Sequence, residues 1–112
     1  MAETERVGVP WTTANDGLPV PRCDWAAAQL LSFSTTAGVS AAITSVGCHL
    51  VSTEDCWVTV GASPTATVGA GSMFLKAGDR FAIAITSGHK VSAIRETVSG
   101  VALLSIIPFD VT

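Results

Sequence analysis

Charge is scarce in this 112-residue chain: Asp, Glu, Lys and Arg make up 13% of it, against about 25% in an ordinary soluble domain. None of them occurs between Ala26 and Thr53. Tyr is absent and Cys numbers three, so the thiols cannot all pair and no secreted disulfide framework is expected. The six basic residues, Arg6, Arg22, Lys76, Arg80, Lys90 and Arg95, are scattered, and the formal net charge is −3. A nucleic-acid partner needs clustered cations to neutralise phosphate, so none is expected.

Long apolar runs are also missing. A membrane span takes about 20 predominantly apolar residues, and Ser32, Ser34, Thr35, Thr36, Gly38, Ser40, Thr44 and Ser45 interrupt the first charge-free stretch. Ser63, Pro64, Thr65 and Thr67 interrupt the second, so no membrane partner is expected. Met1-Ala-Glu-Thr-Glu-Arg has acid where a signal peptide needs a basic start, and export by that route is not expected. The cysteine usage fits a reducing cytosol.

What is present is 48% hydrophobic residues interleaved with Ser, Thr and Gly. Alternation with small neutral residues predicts pleated strands whose water-facing side carries almost no charge. Strands are expected at Ala26–Phe33, Val39–Ser45, Cys48–Ser52, Cys56–Val60, Arg80–Thr86, Lys90–Glu96 and Val101–Ile107, with Met73-Phe74-Leu75 following a small-residue loop. Cys56, Val58 and Val60 share one face, Trp57 and Thr59 the other. Seven or eight short strands predict an all-β fold, a small antiparallel β-sandwich or jelly roll.

Residues 1–24 differ in kind, holding Pro10, Pro19 and Pro21 and the turn signal Asn15-Asp16-Gly17. They are expected to form an extended N-terminal arm, with residues 25–112 as the sandwich domain. Val7, Val9, Trp11, Leu18 and Val20 give the arm apolar anchors, for a neighbouring subunit or for its own domain. Pro64 and Phe109 complete the candidate interface residues.

No pattern calls for catalysis or a cofactor. Cys23, Cys48, His49 and Cys56 lack the paired short spacing of structural zinc. Glu54, Asp55 and Asp79 lack a dedicated calcium loop. The glycines of Val68-Gly69-Ala70-Gly71-Ser72 are followed by no Gly-Lys-Ser/Thr. Serines, His49, His89, Asp55 and Asp79 provide triad residue types without triad geometry. No catalytic, cofactor or metal residue is therefore expected, and the chain is read as not an enzyme. Trp57 is expected in packing, and Trp11 as an interface anchor, ahead of stacking on a ligand.

Within Thr53–Arg95, the runs Thr53-Glu-Asp-Cys-Trp-Val-Thr-Val-Gly-Ala-Ser-Pro-Thr-Ala-Thr67, Gly71-Ser-Met-Phe-Leu-Lys-Ala-Gly78 and Gly88-His-Lys-Val-Ser-Ala-Ile-Arg95 resemble small virion structural proteins of tailed bacteriophages. About 40% of the chain carries the pattern, and the arm lies outside it. The resemblance implies a capsid decoration or cement protein on the virion's capsid surface, made in the host cytoplasm. Its implied partner is the major capsid protein, with a homo-oligomer, dimer or trimer, as the working form. A tail, neck or head-fibre component is the alternative, and a carbohydrate-binding jelly-roll module a further one.

Overall fold

A computed structural model describes residues 11–14 and 18–110. Ten strands follow one another: β1 (Trp11–Ala14), β2 (Leu18–Pro21), β3 (Gln29–Phe33), β4 (Gly38–Val39), β5 (Gly47–Ser52), β6 (Cys56–Gly61), β7 (Met73–Leu75), β8 (Arg80–Ala84), β9 (Lys90–Ile94) and β10 (Ala102–Pro108). β1 and β2 pair with each other and join neither large sheet. The remaining eight form two antiparallel four-stranded sheets, in the orders β3-β10-β5-β8 and β4-β9-β6-β7.

The pairings β3 with β10, β4 with β9, β5 with β8 and β6 with β7 are nested. The chain thus makes one long hairpin whose tip is β6–β7. Rolling that ribbon brings β10 beside β5 and β9 beside β6. The result is an eight-stranded jelly roll, an arrangement that buries one face of every strand without long crossovers.

The core lies between the sheets and follows the period-2 pattern. β10 alternates strictly, with Ala102, Leu104 and Ile106 buried and Leu103, Ser105 and Ile107 turned outward. β5 adds Cys48 and Leu50, β6 adds Cys56 and Val58, and β9 adds Val91 and Ala93. Each fully buried Leu, Ile or Val contributes about 1.5–3 kcal/mol. Pro108 ends β10; its carbonyl accepts the Asp24 N–H (2.8 Å), so its ring nitrogen faces a side that needs no further ladder donor.

Three expectations change. Ala26–Phe33 is not one strand: Trp25–Ala27 is a 3-10 turn, closed by the Ala27 N–H on the Asp24 carbonyl (3.1 Å), and β3 starts at Gln29. Val39–Ser45 is not a strand either, since β4 stops at Val39. Beyond it, the Ile43 N–H donates to His89 O (2.8 Å) and Ile43 O accepts from Gly88 (2.7 Å), plugging Ile43 into the core from an irregular loop. The described part of the arm is a two-stranded hairpin, with Trp11 opposite Pro21 and Thr13 opposite Pro19. The intervening turn, residues 15–17, lies outside the described residues.

The serines also divide differently from a simple water-facing row. Ser40, Ser45, Ser52 and Ser92 are buried. Ser92 Oγ accepts the Ala66 N–H (2.9 Å) and donates to Gly38 O (2.8 Å), tying the β6–β7 loop to β4. Ser40 Oγ likewise accepts the Val91 N–H (2.9 Å) and donates to Ala41 O (2.8 Å). A buried hydroxyl bonded twice is compatible with the interior.

Candidate functional site

Cross-strand partners share a face, so register assigns the outer surface of the β3-β10-β5-β8 sheet. Ser105 stands beside Leu30 on one side and Val51 on the other; Ile107 stands beside His49, and Leu103 beside Ser32. His49 continues to Ala82, Val51 to Arg80 and Gly47 to Ala84. The surface therefore reads Leu30, Ser32, Leu103, Ser105, Ile107, His49, Val51, Ala82 and Ala84, with Arg80 the one charge at its corner. Leu30 is 64% exposed. Nothing on this face but Arg80 carries a full charge that must be stripped of water when it is covered.

Charge gathers at one end of the roll. The β5–β6, β7–β8 and β9–β10 connections bring Glu54, Asp55, Lys76, Asp79, Arg95 and Glu96 together there, next to Arg80 at the start of β8. At this end a cleft of about 460 Å³ is lined by Glu54, Asp55, Trp57, Phe74, Glu96 and Val98, among others. Trp57 and Phe74 are β6–β7 partners and meet edge to face, with centroids 5.3 Å apart. Trp57 Nε1 donates to Glu96 Oε1 (3.3 Å). Arg95 is nearly covered: its guanidinium donates to Gly100 O (3.1 Å) and Ser99 O (3.5 Å) and ion-pairs with Glu54 (3.6 Å). Asp55 Oδ1 accepts the Ala77 N–H (2.8 Å). The cleft offers an aromatic edge flanked by acceptors, which suits hydroxyl-bearing or cationic groups.

The cysteines are placed for packing. Burial pushes the Cys48 thiol up to about 11 from its ordinary 9.0. Burial also raises Cys56, with the Asp55 charge adding to the rise and a Ser52 hydrogen bond opposing it. Both stay protonated at neutral pH and are poor nucleophiles and metal ligands in that form. His49 stacks edge-on against Phe109 at 5.0 Å. Among the described residues no three of His, Cys, Asp and Glu converge to hold a metal ion, and no helix is long and apolar enough to cross a membrane.

No family model matches the chain, and no curated protein or solved structure gives a significant match.

The interface candidates scatter. Val7 and Val9 lie outside the described residues. Trp11 sits on β1, and Leu18 and Val20 on β2, in the hairpin. Pro64 and Phe109 are buried in the chain's own fold and present no free surface. The reason for Phe109 is visible: it follows Ile107 on the outward parity of β10, bridges to Cys23 and folds over His49. Leu30, Leu103, Ile107 and Val51 were missed as surface residues because an apolar residue in a strand reads equally well as core. Phe74 was missed because its pairing with Trp57 depends on the register of the β6–β7 hairpin, and Arg95 and Glu96 because only the rolled topology brings the end of β9 to Trp57.

Proposed function

We propose that the chain is a non-enzymatic structural module that packs the outer face of its β3-β10-β5-β8 sheet against neighbouring protein. The near absence of charge from that face carries this reading. Leu30, Leu103, Ile107 and Val51 provide apolar area, and the small Ala82, Ala84 and Ser105 keep the surface flat enough for another sheet or domain to approach. Such a face can be covered at little desolvation cost. The finer reading rests on the resemblance to tailed-phage structural proteins: a cement or decoration protein that bridges major capsid protein subunits. The β1–β2 hairpin, which joins neither large sheet, gives a second element to lay on a neighbouring subunit and fits that role.

Co-sedimentation with purified shells tests it. Leu103→Glu and Val51→Glu each place a charge on the face and should weaken attachment about tenfold or more, leaving the fold intact. Unchanged attachment in both variants would count against the face as the docking surface. Copy number separates a shell protein, at hundreds per particle, from a tail, neck or head-fibre component, at roughly six to a few tens as the symmetry of such parts requires.

The aromatic cleft supports a second reading, a carbohydrate-binding module with Trp57 and Phe74 against a sugar ring and Glu54, Asp55 and Glu96 accepting from its hydroxyls. Glycan-array binding that disappears in Trp57→Ala would favour it.

A further inference from the structure

The two long seams of the jelly roll differ. Between β3 and β4 the sandwich is shut: Gly38 lies directly against the Ser32 carbonyl, and the Gln29 amide accepts the Ala41 N–H (3.0 Å) and donates to Ala41 O (3.4 Å). Between β8 and β7 it is open. Phe81 and Ile83 sit opposite Leu50 and Cys48 and so belong to the core-facing parity, yet Phe81 is 38% exposed and Ile83 only half-buried. β8 is the last strand of its sheet. Its ladder direction follows from one bond: the Ile85 N–H donates to Val46 O (2.9 Å). By alternation Phe81 and Ile83 also turn their backbone groups toward β5, whereas Arg80, Ala82 and Ala84 turn theirs away from it. Among the described residues these outward groups have no strand beside them.

We propose that β8 pairs antiparallel with β8 of a second copy of this chain about a two-fold axis through Ala82, joining the two β3-β10-β5-β8 sheets into one continuous sheet. The strand is complementary to itself in this register. Ala82 faces Ala82, and Arg80 faces Ala84 of the second copy, so each of these pairs exchanges both N–H···O bonds from groups that already point outward. Phe81 faces Ile83 of the second copy, and the reverse, so each exposed core-parity side chain is covered by its counterpart. The single charge of the strand stands at its end, and the two-fold never brings the two Arg80 side chains opposite one another. A long edge left bare is an aggregation hazard, and a closed two-fold contact ends it in a defined dimer. This inference concerns the sheet edge and does not depend on what covers the outer face.

Sedimentation velocity of the full chain, alone in solution, should show a monomer–dimer equilibrium. Ala82→Lys and Ala82→Glu each set like charges facing on the axis and should each give monomer, with circular dichroism unchanged. Mixing the two in equal amounts should restore the dimer, because the axial pair becomes Lys–Glu. As a second handle, Ala84→Glu meets Arg80 of the second copy and should tighten the dimer about threefold or more, while Ala84→Lys should loosen it comparably. A monomer at all concentrations, a trimer, a dimer indifferent to both Ala82 variants, or a mixture that stays monomeric would each overturn the proposal. Failure of shell attachment with an intact dimer would strike the docking reading alone.

Discussion

Gly38→Ala probes the closed seam directly. A Cβ built at Gly38 falls inside the contact radius of the Ser32 carbonyl oxygen, closer than real Cβ atoms come, and also lies 3.2 Å from Leu31 Cδ1 and 3.4 Å from Phe33 Cβ. Leu31 can rotate its methyl, but Ser32 O and Phe33 Cβ are fixed to the β3 backbone. Relief therefore requires β3 and β4 to separate, pulling on Ser92, which bonds Gly38 O. Overpacking of this kind costs about 1–3 kcal/mol, and the stiffer unfolded chain of the variant returns about 0.4–1 kcal/mol. The net loss should be about 1–2 kcal/mol. With a urea m-value of about 1–3 kcal/mol per molar for a small domain, the unfolding midpoint should fall by roughly 1 M. Gly78→Ala is the control, because Gly78 has open space around it and a φ of +82°. It should cost about 1 kcal/mol through backbone conformation alone. Equilibrium urea unfolding followed by circular dichroism measures both. A Gly38→Ala midpoint at or above that of the native chain would refute the tight β3–β4 contact, and with it the contrast between a shut and an open seam.

Three further outcomes follow from named contacts. Ser92→Ala strands the buried Ala66 N–H and Gly38 carbonyl and should cost about 1–3 kcal/mol in the same urea assay, whereas Ser32→Ala, on the exposed outer face, should stay within about 0.5 kcal/mol. Arg95→Ala releases the Ser99 and Gly100 carbonyls and should lower stability by about 1–3 kcal/mol, while Glu54→Gln, which touches only the exposed side of the ion pair, should cost less than about 1 kcal/mol. The raised Cys48 thiol means the folded state holds its proton to higher pH than the unfolded chain, so its stabilising effect is complete below pH 9 and is lost as pH rises toward 11. Thermal melts from pH 8 to 10.5 should therefore fall more steeply in the native chain than in Cys48→Ala, and equal slopes would contradict the burial-driven shift.

Much of the architecture was readable from short apolar segments between turns. Cys56–Val60 announces itself by a two-residue period that suits a strand with one buried face, and Cys48–Ser52 and Val101–Ile107 by short, mostly apolar runs bounded by turn residues. The failures have physical causes. In Val39–Ser45 the apolar residues alternate too, but Ser40 and Gln29 bond to the loop backbone, which provides the chain with partners other than a ladder. Nor does the pattern say which strand sits at an open edge: Phe81, Ile83 and Ile85 form the cleanest alternation in the sequence, yet β8 is the least buried of the longer strands. Period reports parity, while exposure depends on what the rolled topology puts across the seam.

The scarcity of charge has two separate origins. Part of it is internal: Ser40, Ser45, Ser52 and Ser92 replace apolar core residues so that irregular loops can be bonded from inside, and this requires nothing of any partner. The remainder lies on the outer face of the β3-β10-β5-β8 sheet, where the side chains of Leu30, Leu103, Ile107 and Val51 stand outside the core between the sheets. Among the described residues, Glu54, Asp55, Lys76, Asp79, Arg80, Arg95 and Glu96 stand at one end of the roll, and Arg22, Asp24, Lys90 and Asp110 lie toward the other. Charge is thus placed at the two ends, which leaves a flat side free to be apolar. A domain that works alone gains nothing from that segregation, whereas one whose side is covered by another protein gains its docking area without a charge to desolvate.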